Sequence, residues 1–280
     1  MKTITLNNGV EMPMLGFGTF LMPDSAECEN SVRTAIQAGY RLIDTAQDYG
    51  NEASVGRALR RSGVPREEVF ITTKVWFRSF QRGICRESVL ESMRKLEVSY
   101  LDMVLLHWPF NDTYGAWKDL EALYKEGTIR AIGVSNFDPD RLIDFIHFHE
   151  IPPAVNQIET HLLCQRKEDH RWMRKYGVVH QAYAPLGQGR APELMSDPAV
   201  AAAARAHGKT PPQVLLRFLI QCGIAVVPKS THEERILENA QIFDFQLTDA
   251  EMDELRRADR KMPLSGRSQD PYKVEAAMTW

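Results

Sequence analysis

Eight short apolar runs rich in β-branched residues punctuate the chain, at 14–18, 41–44, 69–74, 102–107, 129–134, 154–158, 178–183 and 224–228. Most are continuous rather than alternating, the pattern of parallel strands buried on both faces. Amphipathic segments lie between them. One opens at Asp24-Ser25-Ala26-Glu27, which reads as a capping box, and stops at Gly39. Further helices are expected over 51–61, 84–96, 113–126 and 167–176, three of them followed by Gly63, Gly127 or Gly177. Asp138-Pro139 opens another with proline at its first position. Thr231-His232-Glu233-Glu234 reads as a second capping box, placed just after the eighth strand.

Strand and helix alternate with a repeat of about 24–33 residues through seven strands, and eight such units predict an α/β fold, a (β/α)8 TIM barrel. The longer gap before the eighth strand holds two helices, opened by Asp197-Pro198 and Thr210-Pro211. The competitor is a doubly wound sheet, which usually carries a glycine-rich phosphate loop after its first strand. Here that position reads Gly16-Phe17-Gly18-Thr19-Phe20-Leu21, without a third glycine. Residues 3–12 predict a hairpin ahead of the barrel, turning at Asn8-Gly9. No linker or low-complexity stretch divides the chain, so residues 1–280 read as one domain.

Composition narrows the function classes. With 34 Lys+Arg against 37 Asp+Glu, the 280-residue chain has a formal charge of −3, which leaves no broad basic footprint for nucleic acid. No apolar run approaches the roughly 18 residues that span a bilayer, and the first residues lack a signal peptide's apolar stretch. A cytoplasmic, monomeric protein with no membrane partner is expected. The cysteines at 28, 85, 164 and 222 form no CxxC pair, and no HExxH occurs, so reduced thiols and no resident metal are expected.

Polar residues collect where the strands end, the rim that carries the active site of a barrel. Asp44 closes the second strand, with Tyr49 following; Lys74 closes the third; His107-Trp108 closes the fourth. Lys74 is the hardest to read as structural, because lysine is rarely buried without a partner. A phenol alone is too weak an acid at neutral pH. A neighbouring ammonium lowers its pKa, a carboxylate keeps that ammonium charged, and a neutral imidazole can hold a carbonyl oxygen. Together the four could protonate an oxygen that becomes an alkoxide, as carbonyl reduction requires.

The segment Gly39-Tyr40-Arg41-Leu42-Ile43-Asp44-Thr45-Ala46-Gln47-Asp48-Tyr49-Gly50-Asn51-Glu52 resembles the signature of the aldo-keto reductase family. Thr73-Lys74, Leu106-His107-Trp108-Pro109, Ile132-Gly133-Val134-Ser135-Asn136-Phe137, Asn156-Gln157-Ile158-Glu159 and Val227-Pro228-Lys229-Ser230 resemble its other motifs, in order, over residues 4–250. The resemblance implies an NADPH-dependent reductase of aldehydes and ketones, with a small-molecule carbonyl substrate. It makes Tyr49 the general acid, Lys74 its pKa partner, Asp44 the partner of Lys74 and His107 the carbonyl-orienting residue. It assigns Ser135, Asn136 and Gln157 to the nicotinamide carboxamide, Tyr183 to the nicotinamide ring and Leu186 to the cofactor cleft. Lys229, Ser230 and Arg235 fall to the 2′-phosphate of NADPH/NADP+, and Glu238 and Asn239 to adenine.

Departures from the family pattern bear on the substrate. Phe20 stands where many members carry tryptophan, leaving Trp76 and Trp108 as the expected aromatic walls. Ala184 replaces a common serine, and His161-Leu162 a common His-Pro. The loop at Asn111–Tyr114 is short, and the tail after Leu264 matches weakly. Two alternatives stand beside the reductase. One is a non-catalytic barrel that senses nicotinamide nucleotides. The other is a metal-dependent hydrolase using Asp44, His107 and His161, although no His-x-His closes a strand.

Overall fold

The computed structural model describes residues 2–280. A hairpin of β1 (Thr3–Thr5) and β2 (Glu11–Pro13) precedes eight parallel strands: β3 (Phe17–Gly18), β4 (Leu42–Asp44), β5 (Phe70–Val75), β6 (Leu101–Leu106), β7 (Ile129–Ser135), β8 (Val155–Glu159), β9 (Val179–Tyr183) and β10 (Ala225–Val226). Each strand pairs with its sequence neighbour. The sheet closes on itself where Leu15 bridges Val226 and where Gly18 N–H donates to Pro228 O at 3.0 Å. The expected barrel is therefore present, strand for strand. The helices α1 (Ala26–Gln37), α2 (Glu52–Arg61), α3 (Ile84–Leu96), α4 (Thr113–Lys125), α5 (Pro139–His147) and α6 (Lys167–Lys175) fill the successive crossovers. Three follow β9: α7 (Ala191–Met195), α8 (Pro198–His207) and α9 (Pro211–Gln221). Beyond β10 come α10 (Glu233–Ala240), α11 (Asp249–Arg257) and the tail helix α12 (Pro271–Ala277).

The apolar runs conceal a period of two. Leu42, Phe70, Met103, Leu105, Val155 and Val179 pack together inside the barrel, while Ile43, Ile71, Val104, Leu106, Ile158 and Ala182 belong to the layer under the helices. Asp44, Lys74, His107, Gln157, Gln181 and Tyr183 share the inward parity one or more steps further along their strands. The hairpin seals the opposite end. Met12 is fully buried against the interior cluster, and Asn7 and Asn8 donate to Pro153 O and Arg130 O. With Gly9 at φ +84°, its N–H turns back to Leu6 O. A plugged N-terminal end leaves the C-terminal rim as the open one.

Two expected capping boxes are absent. Ser25, not Asp24, caps α1 and accepts from Cys28 N; the third position is a cysteine, which has no carboxyl to return the bond. Asp24 instead binds Ser54 and Arg57. The first turn of α10 follows His232 and has no side-chain cap. The genuine boxes are Thr210–Gln213 and Thr248–Glu251. The second of these, and the short α7, carry no strong signal in the strand–helix rhythm.

Candidate active site

The C-terminal rim encloses a cavity of about 1060 Å3. Asp44, Tyr49, His107, Ser135, Asn136, Gln157, Tyr183, Leu186, Lys229, Ser230, Arg235, Glu238, Asn239, Phe20, Trp76 and Trp108 all line it. Lys74, the remaining candidate, is fully buried beneath the floor.

Strand β5 carries Lys74 inward, and its ammonium donates to Asp44 Oδ1 at 2.6 Å, Thr45 O at 2.9 Å and Tyr49 Oη at 3.2 Å. Tyr49 sits at the end of a single 3-10 turn, Gln47–Tyr49, which Gly50 stops in a left-handed conformation. Gln47 clamps that turn to the neighbouring unit. Its amide donates to Ser88 O and Ser92 Oγ, and its carbonyl accepts from Trp76 N. Asn51, fully buried, holds the other side through Thr19 O, Met22 O and Thr45 Oγ1. The phenol is thus placed by two polar residues that contact no cavity chemistry themselves.

Burial, reinforced by the charges of Asp44 and Asp48, pushes the Tyr49 phenol well above its ordinary value. Lys74 lies within hydrogen-bond reach of the phenol, the position from which an ammonium stabilises a phenolate, while burial opposes that charge and holds Tyr49 protonated. Burial also lowers Lys74, with Asp44 pulling the other way. His107, whose ring centroid lies 5.8 Å from that of Tyr49, is driven well below the usual histidine value by burial and then by Lys74. A neutral imidazole follows, and its Nδ1 is buried without a protein partner among the described residues. The floor thus holds a weak acid ready to donate and a neutral ring that can hydrogen-bond an oxygen.

The cleft side is a closed polar network. Gln157 Nε2 donates to Asp44 Oδ2 and Gln181 Oε1, each at 2.7 Å. Ser135 Oγ donates to Gln157 O. Asn136, at φ +62°, donates to His107 O and accepts from Tyr183 Oη at 2.9 Å. At the far end, Lys229 and Arg235 are exposed and make no ion pair among the described residues. They flank the uncapped first turn of α10, whose backbone N–H groups stay available to an anion. Glu238 accepts from Thr210, whereas Asn239 Oδ1 is buried without a partner. An orphaned buried acceptor and unpaired cations at a helix start suit a nucleotide that offers amine donors and phosphate.

Trp76, Trp108 and Phe20 surround the floor as expected, Phe20 lying 5.0 Å from Tyr49 by ring centroids. Sequence reasoning missed Gln181, whose inward parity inside a buried run is the readable signal. It also missed Trp280, which stacks on Trp76 at 6.2 Å and meets Trp108 at 5.3 Å, and Lys273 beside it. No local pattern marks those two.

The model of the Aldo/keto reductase family matches residues 14–260. Among curated relatives, the 9,11-endoperoxide prostaglandin H2 reductase of Trypanosoma cruzi is 42% identical over 267 residues, covering 94% of this chain and 93% of the relative. The glyoxal reductase of Bacillus subtilis is 43% identical, covering 90% and 91%. The crystal structure of an aldo-keto reductase from a Medee basin deep-sea metagenome library superposes with a TM-score of 0.94 at 38% identity, covering 95% of this chain and 98% of that one.

Proposed function

The chain belongs to the aldo/keto reductase family, whose relatives here are oxidoreductases, and from that premise we propose that it reduces aldehydes and ketones with NADPH. The observation that carries the reading is the Lys74 ammonium, bonded at once to Asp44 and to the phenol of Tyr49 under the cavity floor. When bound, NADPH supplies the hydride to the carbonyl carbon. Every other requirement falls to the chain's own groups. The neutral His107 imidazole, next to Tyr49 on the floor, orients the carbonyl oxygen. Tyr49 transfers its proton to that oxygen as negative charge develops there. Lys74 stabilises the phenolate left behind, which matters because burial alone disfavours that charge. Asp44 keeps the ammonium charged and aimed.

Ser135, Asn136 and Gln157 are tied to one another and to the floor, so a carboxamide docked on them is registered against Tyr49. Lys229, Ser230 and Arg235 are the groups for the 2′-phosphate, and Asn239 Oδ1 is an acceptor for the adenine amine. The first turn of α10 also carries Glu233 and Glu234, both exposed, whose charge makes the two cations more necessary.

The test is the rate of NADPH consumption across aldehydes, α-dicarbonyls, keto-sugars and ketosteroids. Turnover of at least one class, absent without the carbonyl, is expected. Tight NADPH binding with no turnover on any class would instead support the nucleotide-sensing barrel.

A further inference from the structure

The cavity has cations at both ends, and the one at the substrate end is bonded to no carboxylate among the described residues. Lys273, on α12, lies with its ammonium 4.4 Å above the Trp280 ring and 5.0 Å above that of Trp108. It lines the cavity, is half-buried, and reaches no oxygen acceptor among the described residues. The nearest acid acting on it, Glu159, is already filled by His161 Nε2 and the backbone N–H groups of Leu264 and Ser265. Two aromatic faces attract the ammonium and hold it in place, yet leave its three N–H donors without an oxygen. Burial lowers its pKa, with Glu159 opposing, as expected of a cation lacking a partner.

The position is rigidly set. Asp169 grips Arg267 with both oxygens at 2.8 Å, and Asp138 accepts from Ser268 and Gln269. Those bonds fix the start of the tail, and the indole stack of Trp280 on Trp76 fixes its end. The Trp108 ring touches both, its centroid 5.0 Å from the Lys273 ammonium and 6.3 Å from the His107 imidazole, which it stacks on. A molecule whose carbonyl rests on His107 and whose far end meets the ammonium therefore has an indole as a shared wall.

We propose that Lys273 recognises a carboxylate on the substrate, so that the preferred carbonyl compound carries a carboxylate at the far end of a flat apolar body. Lys273 sits in the first turn of α12, where Asp270 already caps the backbone, so what it offers is a single point charge, which suits a carboxylate better than a doubly charged phosphate. This rests on the reductase reading and adds the substrate class.

The test uses the full chain with 4-formylbenzoate and its methyl ester, which share a carbonyl and differ by one charge. The wild type should favour the acid in kcat/KM. Lys273→Met keeps a stem able to pack on the indoles and should lower kcat/KM for the acid about tenfold more than for the ester; Lys273→Arg should restore most of the difference. Equal losses on both compounds, or none, overturn the proposal. A second readout needs no turnover: the Kd of 4-formylbenzoate by quenching of Trp108 and Trp280 fluorescence should rise about tenfold in Lys273→Met. An unchanged Kd sinks the role of Lys273, whereas failure to reduce either compound together with no turnover across the wider carbonyl panel sinks the reductase reading alone.

Discussion

Replacing Tyr49 by phenylalanine removes one oxygen, and the structure limits what else is lost. That oxygen takes a single protein hydrogen bond, from Lys74 at 3.2 Å. The ammonium keeps Asp44 and Thr45 O, so no buried charge is orphaned. The ring keeps its neighbours Phe20 at 5.0 Å and His107 at 5.8 Å, and the Lys74 ammonium 4.8 Å from its centre. The stability change should stay below about 3 kcal/mol, the upper worth of one hydrogen bond to a charged group. The rate is another matter, because a positioned acid contributes typically 10²–10⁴-fold, about 2.7–5.4 kcal/mol of barrier. Initial rates of NADPH oxidation at saturating aldehyde, the NADPH Kd by fluorescence and a thermal melt separate these quantities. We expect kcat down at least a hundredfold with Kd nearly unmoved and Tm lowered by no more than several degrees. More than a tenth of the wild-type kcat, or a loss confined to Kd, would refute the general-acid assignment.

Lys74→Met should cost about 3–5 kcal/mol of stability, because Asp44 is then left buried with only Gln157 Nε2 on its carboxylate; adding Asp44→Asn should recover most of this in urea melts, and additive losses would contradict the pairing. Arg235→Ala should weaken NADPH by roughly 10-fold and NADH little if the exposed guanidinium serves the 2′-phosphate as proposed; equal weakening in titrations of both nucleotides would return Arg235 to a role in the helix. Acid should destabilise the fold through its buried imidazoles. His107 and His180 both titrate well below the ordinary histidine value because they are buried, so below about pH 6.5 the unfolded chain binds protons that the folded chain refuses. Stability is full above that pH and falls beneath it, by at most about 1.4 kcal/mol per group for each pH unit, so urea melts at about pH 7.5 and about pH 5.5 should differ. A urea midpoint that is the same at both pH values would contradict this.

The strand runs, the glycine stops after helices and the prolines at first turns were all readable from neighbours in sequence. Backbone preference and the alternation of burial act over a few residues, which is why the eight βα units, the hairpin turn at Gly9 and the helix start at Pro139 appear where expected. The strand ends were legible in the same way, and they brought Asp44, Lys74 and His107 to one rim, although the inward parity that aims them was concealed within continuous apolar runs. Capping at Asp24 and Thr231 was misread because a cap depends on which residue actually leaves the helix. At Asp24 the side chain is drawn off by Ser54 and Arg57, groups about thirty residues away. The burial around the phenol was also beyond the sequence: Lys74 beside Tyr49 was readable as a partner for a phenolate, but only the closed barrel supplies the burial that raises the phenol. The tail is the extreme case. Nothing local in Lys273 or Trp280 announces a wall of the cavity. Their place is set by carboxylates on two neighbouring βα units, Glu159 and Asp169 on β8–α6 and Asp138 at the start of α5, which come together where β7 pairs with β8. Local periodicity determined the elements, while long-range closure decided which charges would face one another without water between them.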